Sequence, residues 1–429
     1  MRNHNNKSQR SNPAVAAIAS VALAAAIFTT GCGGDTVPAQ TGTESTSVNA
    51  TAAVSNVSET AADANEITTE ESAATSSAVT ASGSLPADTK KEDTAAAAET
   101  AASADNPAET AAKAETAKTQ TAASSKKAKT YLSELTGEAI SKSLIKQRPI
   151  AVMIDNDQTA LPHYGLSEAD VVYEMMNSTA NNRITRLMAL YKNWTSIKRI
   201  GSVRSTRPTN VMLASEWNAL LCHDGGPYYN NQYFKYGWAE HISGIFGRIN
   251  NGKAHEFTEY VLTGDVAKGA RAKGYSTNYD KYRNTDKTHF NFGKVSFGKD
   301  AAPATKISLP FPHNQSKLIY NSGKYDYYEY GSLHKDAEDG KKTSFTNVIL
   351  QDTEFSQLDK NGYLIYNCIG LGVGYYVNGG KCIPVTWAKA KETDITRYYD
   401  LSGKEITIAP GKTYIALVPS DVWSNLKFN

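Results

Sequence analysis

Cysteine is scarce in this chain, with four residues among 429. Cys32, Cys222, Cys368 and Cys382 form no CxxC pair and have no histidine-rich neighbourhood, which argues against a structural zinc site. There is no Gly-x-Ser-x-Gly elbow, no HExxH helix and no phosphate-cradling glycine loop. The usual signatures of a serine hydrolase, a zinc peptidase and a nucleotide-using enzyme are therefore missing. Lysine and arginine form no stripe and the net charge is only +2, so nucleic acid is not an expected partner. Long apolar runs are absent too. The longest, Ala14 to Phe28, has about 15 residues, short of the roughly 20 that a membrane span needs.

That run instead makes a secretory leader. Arg2, Lys7 and Arg10 precede it, and Thr29-Thr30-Gly31-Cys32 follows. A small residue directly before a cysteine at the end of such a core resembles the bacterial lipobox, in which the cysteine is diacylated. Residues 1–32 are thus expected to be a lipoprotein signal, with Cys32 lipidated and holding the chain to a membrane surface. An ordinary cleaved signal is the alternative. Residues 33–128 are Ala, Thr, Ser and Glu with hardly an aromatic, and carry 14 acidic and 6 basic residues. Such a stretch cannot bury enough apolar surface to offset the entropy of ordering, so a disordered tether is expected. A flexible chain of that length spans about 50–60 Å, enough to reach into a thick wall.

The remaining 300 residues hold most of the 24 tyrosines and carry +7. Short apolar runs bounded by turn residues dominate them. Pro149–Ile154, Val171–Met176, Arg183–Tyr191, Ala219–His223 and Phe257–Leu262 read as strands. Pro208–Trp217 reads as a helix, and so does a segment capped by Asp265 and ended by Gly274. From Leu318 onward the rhythm is almost wholly strand and turn, including Tyr325–Tyr330, Thr346–Leu350, Gly374–Val377, Lys381–Trp387, Glu405–Ile408 and Tyr414–Val418. An N-terminal α/β lobe at 129–293, a connection at 294–313 and a strand-rich lobe at 314–429 follow. The fold class is α/β, of the α+β kind. Cys368 and Cys382 flank a glycine-rich hairpin, across which a disulfide can form in an oxidising location. Cys222 reads as a buried apolar thiol.

Several phrases resemble the YerB-like lipoproteins, a bacterial family of two adjoining domains without an assigned activity. They are Arg148-Pro-Ile-Ala-Val-Met-Ile-Asp-Asn156, Gly165-Leu-Ser-Glu-Ala-Asp-Val-Val-Tyr-Glu174, and Ile200-Gly-Ser-Val-Arg-Ser205 with Arg207. His334-Lys-Asp336, Asn347-Val-Ile349, Gly370-Leu-Gly372 and Val385-Thr-Trp387 continue the likeness. The resemblance implies a layered sandwich of two mixed or antiparallel sheets with a helical layer, carried on a lipid-anchored tether.

For the site, Asp155, Asn156 and Asp157 stand at a strand end, where α/β folds place ligands. Arg204, Ser205 and Arg207 precede a helix N-terminus, a place suited to an anion. His223 and Asp224 precede two glycines. These eight residues are the candidate ligand-binding cluster, and the alternative is an internal ion-pair network. A hydrolase could use Ser205, His223 and Asp155, and a metal site Asp155, Asp157, His223, His255 and Glu256, but neither set has the required spacing. No catalytic residue, metal ligand or cofactor is assigned. The expectation is a membrane-anchored accessory protein that binds a wall polymer, a peptide or a wall-synthesis enzyme. A wall-directed or metal-assisted hydrolase is the competing class.

Overall fold

Apolar residues of both parities fill the first strands of the body, and that pattern calls for a sheet covered on both faces. In the computed structural model, which describes residues 130–279 and 288–429, that sheet is present. Its elements are β1 (Ile150–Asp155), β2 (Val171–Met176), β3 (Thr185–Tyr191), α1 (Pro208–Glu216), β4 (Leu220–Cys222) and β5 (His241–Ile242). They continue with α2 (Asp265–Lys273), β6 (Ala302–Pro303), β7 (Asn347–Thr353), β8 (Gly370–Asn378), β9 (Lys381–Lys389), β10 (Arg397–Tyr399) and β11 (Thr413–Pro419). The leader, Cys32 and the tether at 33–128 lie outside the described residues.

Eleven strands form one mixed sheet in the order β6-β9-β8-β7-β11-β2-β3-β1-β4-β5, with β10 beside β9. β1 and β3 are antiparallel, pairing Ile150 with Tyr191 and Asp155 with Arg186. β11 lies parallel between β2 and β7, with Ala416 level with both Glu174 and Leu350. The sheet therefore runs through both halves of the sequence, and the described residues form a single compact unit.

One face carries a second sheet of six strands, at 306–308, 317–321, 324–329, 332–333, 344–345 and 427–428. Ile307, Leu318, Tyr325, Tyr327 and Phe345 of that sheet meet Val348, Leu350, Val377, Tyr414 and Ala416 of the first, and Val266 and Ala270 of α2 join the same core. On the opposite face, Val211, Leu213 and Ala214 of α1 pack with Met153, Tyr173, Met188, Ile349 and Leu417. This is the layered α+β sandwich with helical cover. It explains why every residue of β1, β2, β3 and β11 is buried. No helix of the described residues is long and apolar enough to cross a membrane.

Four local expectations are corrected. Asn181, Asn182 and Arg183 have φ of 50°, 52° and 58°; they make a turn, so β3 starts at Thr185. Gly264 caps α2, and Asp265 instead accepts backbone N–H groups from Leu262 and Gly247 at 2.9 and 3.2 Å. Glu405–Ile408 forms only isolated bridges, to Tyr399 and Phe292. The three described cysteines, Cys222, Cys368 and Cys382, are free. Cys382 pairs with Val377 near the β8–β9 turn, whereas Cys368 precedes the open end of that hairpin. The strand from Gly370 to Val377, on the order of 25 Å long, separates the two levels, far beyond the reach of a disulfide.

Candidate functional site

The strand period of two decides what happens to the expected cluster. Asp155 points to the α1 face and Asn156 to the other, so the two cannot share a site. Asp155 is 1% exposed and lies between Arg204 Nε at 2.7 Å and Arg186 Nη2 at 3.9 Å. Arg186, opposite Asp155 in register, also donates to Asn177 Oδ1 and the Ser205 carbonyl. Burial lowers its pKa to about 10, partly countered by Asp155. Arg207 donates to the carbonyls of Asn177 and Thr206 and lies 4.6 Å over the Tyr363 ring. Burial and the nearby Arg186 pull it down to about 9. Arg204 extends to Glu256 at 3.2 Å. These guanidinium groups brace the Ser205–Arg207 turn at the start of α1, whose entry is closed by the Arg207 N–H donating to Asn210 Oδ1.

The other candidates have separate partners. Asn156 donates to Thr185 and Glu174 in the core. Asp157 caps the following 3₁₀ turn through Thr159 N at 2.8 Å. Asp224 pairs with Arg248, which also holds Glu259 at 2.8 Å. The Ser205 hydroxyl sits beside Gly225.

His223 is 3% exposed and lies beside the stacked Phe234–His241 pair, whose ring centroids are 3.7 Å apart. Its Nδ1–H donates to the Gly225 carbonyl at 2.8 Å, and its Nε2 accepts from His241 Nδ1–H at 2.9 Å. Both nitrogens of the neutral imidazole are thus satisfied. Burial and then His241 hold its pKa down to about 4, against an ordinary 6.5. Protons bind the unfolded chain but not the folded one between those values, so this stabilisation is complete above pH 6.5 and is lost as the pH falls to 4. About 3 kcal/mol is expected from His223 alone. Urea unfolding at pH 7 and 4.5 should show the loss, and His223→Gln should remove about that share of it, the rest belonging to His163, His241 and His334, which burial also depresses; an equally steep variant would refute the assignment.

A groove lies elsewhere, on the β8–β9 hairpin. β8 pairs with β7 from Asn378↔Asn347 only as far as Gly374↔Gln351. Beyond that the two strands part, and Gly370–Val373 is paired on one side alone, with β9. The parting leaves a groove of about 420 Å³. Asp352 and Glu354 stand on the β7 side, and Ile369, Leu371 and Val373 on the β8 side. Those three aliphatics are 41%, 51% and 41% exposed, and they recur at every second residue on one face. The opposite face is glycine for a packing reason. A Cβ at Gly372 would lie 2.5 Å from the Trp387 indole nitrogen, and one at Gly374 would lie 2.4 Å from the Leu350 carbonyl oxygen. The Trp387 indole crosses beneath Gly372 and donates to the Asp352 carbonyl at 3.1 Å, satisfying a group that β8 has left behind. Burial raises the Asp352 carboxyl, which Ser420 stabilises by hydrogen bonding. Gly370-Leu-Gly372 was visible in the sequence as part of the family likeness; the free edge was not, because strand order is non-local.

A wide mixed sheet roofed by a second sheet, with its charged strand end locked internally and one strand edge left open, defines a two-segment layered α+β body. The chain belongs to the YerB-like family. Residues 135–276 match the "Protein of unknown function (DUF3048) N-terminal domain" and residues 307–415 the corresponding "C-terminal domain". It is 27% identical over 306 residues to YerB of Bacillus subtilis (strain 168), whose name describes a lipoprotein; the match covers 68% of this chain and 87% of YerB. The crystal structure of the YerB protein from Bacillus subtilis superposes with a TM-score of 0.61 at 22% identity, over 70% of this chain and 99% of that one. That likeness concerns the fold.

Proposed function

We propose that this chain is a lipoprotein anchored through Cys32 on the outer face of a bacterial membrane, and that its body is a non-catalytic binder. Its ligand is an extended segment of a protein partner, laid along the open edge of β8. The leader and the kinship with YerB support the anchoring. The observation that carries the binding reading is the one-sided pairing of Gly370–Val373 beside three exposed aliphatics. An unpaired strand edge offers main-chain hydrogen bonds to an added strand, and alternate side chains supply selectivity. Asp352 and Glu354 favour a segment that mixes apolar and basic residues. The same two carboxylates disfavour polyanionic wall polymers. Trp387, 3% exposed, offers no free ring face for a sugar.

Fluorescence anisotropy with the full chain tests this. Octapeptides alternating valine with lysine should bind, and their valine–glutamate counterparts should bind at least about tenfold more weakly. Leu371→Ser, which removes the apolar contact without adding charge, should weaken the lysine peptide by a similar factor. Equal affinity for both peptides, or an unaffected Leu371→Ser variant, would exclude the groove as the site. New fragments released from purified wall material by the same protein would favour the hydrolase class instead.

A further inference from the structure

Three ligating atoms converge where the loop after β1 meets the second sheet: His163 Nδ1, His334 Nε2 and Glu329 Oε1. The two imidazole nitrogens are 3.1 Å apart, and the carboxylate oxygen lies 3.8 Å from His163 and 3.7 Å from His334. The point equidistant from three atoms so spaced is about 2.1 Å from each, which is the length of a zinc–imidazole or zinc–carboxylate bond. It is too close for a hydrogen-bonded water at the same point.

Each imidazole is oriented through its other nitrogen, as metal-binding histidines are. His163 Nε2 faces the Asp155 carbonyl at 2.6 Å. A carbonyl only accepts, so Nε2 carries the hydrogen and Nδ1 presents a lone pair to the centre. His334 Nδ1 lies 2.8 Å from Thr343 Oγ1, and donation to that hydroxyl leaves its Nε2 as a second lone pair. Glu329 is 2% exposed. Its Oε2 lies 3.4 Å from the Tyr327 hydroxyl, whose single hydrogen is directed at the nearer Glu174 Oε2 at 3.1 Å, and Oε1 is buried without a hydrogen-bond partner. A relay from Thr343 through His334 and His163 to the Asp155 carbonyl can satisfy both histidines without an ion. It leaves Glu329 Oε1 unpaired, an expensive state for a buried carboxylate oxygen.

We propose that His163, His334 and Glu329 bind a divalent transition-metal ion, best matched by zinc, at a closed structural site. Two imidazoles and one carboxylate suit that class of ion. With the three residues 0%, 5% and 2% exposed, the ion acts as a staple, not as a substrate-activating centre. It joins the segment matched at 135–276 to the one matched at 307–415. This site is independent of the β8 groove.

The full chain, purified without a histidine tag, is stripped with a chelator and dialysed against zinc chloride or cobalt chloride alone. One zinc per chain should be retained, and the thermal midpoint should rise by about 5 °C or more. Bound cobalt should show the visible d–d bands of a low-coordinate nitrogen–oxygen site. Glu329→Gln and His334→Gln should each weaken zinc binding by about 100-fold, whereas His223→Gln, at the distant stacked pair, should not. Full zinc retention by folded Glu329→Gln and His334→Gln would overturn the proposal. If those variants do not fold, the unsubstituted chain decides: no thermal shift and no cobalt bands would overturn it equally.

Discussion

Lys389→Met is expected to lower the stability of the folded body by about 3–5 kcal/mol, the usual effect of removing one member of a buried ion pair. Lys389 Nζ lies 2.8 Å from Glu216 Oε2, with both side chains 0% exposed. Glu216, at the C-terminal end of α1, also accepts from Tyr173 at 2.8 Å, from His289 at 3.2 Å, and from the backbone and hydroxyl of Thr396 at 3.1 and 2.8 Å. Burial pushes its carboxyl up, but Lys389 and His289 overcome that and hold it well below the usual range. This stabilisation is present above the unfolded carboxylate value of about 4.5 and is lost as the pH falls below it. With Lys389 removed, a buried carboxylate keeps only neutral donors. Urea denaturation at pH 7 measures the loss. Adding Glu216→Gln should recover part of it, since the uncompensated charge is then gone. A loss below about 1 kcal/mol in the single variant would show that the pair contributes little.

The second large effect is expected at Glu174, in the middle of β2. Its Oε1 accepts from Thr185 at 2.9 Å, and from Asn314 and Ser316 at 2.6 Å each, with Asn156 at 3.4 Å. Its Oε2 accepts from Tyr327 at 3.1 Å and from Tyr414. Burial, and then Glu174 itself, hold both tyrosine hydroxyls well above their ordinary pKa, so they remain donors. Glu174→Leu removes the acceptor from six donors drawn from both halves of the chain. About 3–5 kcal/mol should be lost. Glu174→Gln keeps the volume and one acceptor oxygen but turns an N–H₂ toward other donors, and about 2 kcal/mol is expected. Thermal unfolding followed by near-ultraviolet circular dichroism reads both. Near-native stability of Glu174→Leu would mean that water enters and replaces the carboxylate.

Most of the layered fold was legible because strand and helix periods are local. Val171–Met176 was read to the residue. β1 and β3 were read to within two, since apolar residues on both parities mark strands covered on both faces. The polar turn at Asn177–Asn182 was legible, but it runs on through Arg183, whose φ of 58° is unusual for an arginine and has no signature in the sequence, so β3 starts two residues later than expected. The candidate cluster was legible only in composition. Arg204 and Asp155 do meet, but as a nearly closed ion pair, and strand alternation sends Asn156 to the other face. Isolated bridges at Glu405–Ile408 show the converse failure, an extended, β-prone run that finds no neighbouring strand to complete a ladder.

By itself, the amino-acid sequence determined the strand periods, the glycines at β8 and the family likeness. These depend on residues within a few positions of one another. Tertiary structure alone decided which charges pair, where a strand edge stays open, and that His163 and His334, 171 residues apart, aim their nitrogens at one point with Glu329. Such pairings are set by sheet order and by the packing of the second sheet on the first, and neither leaves a local pattern in the chain.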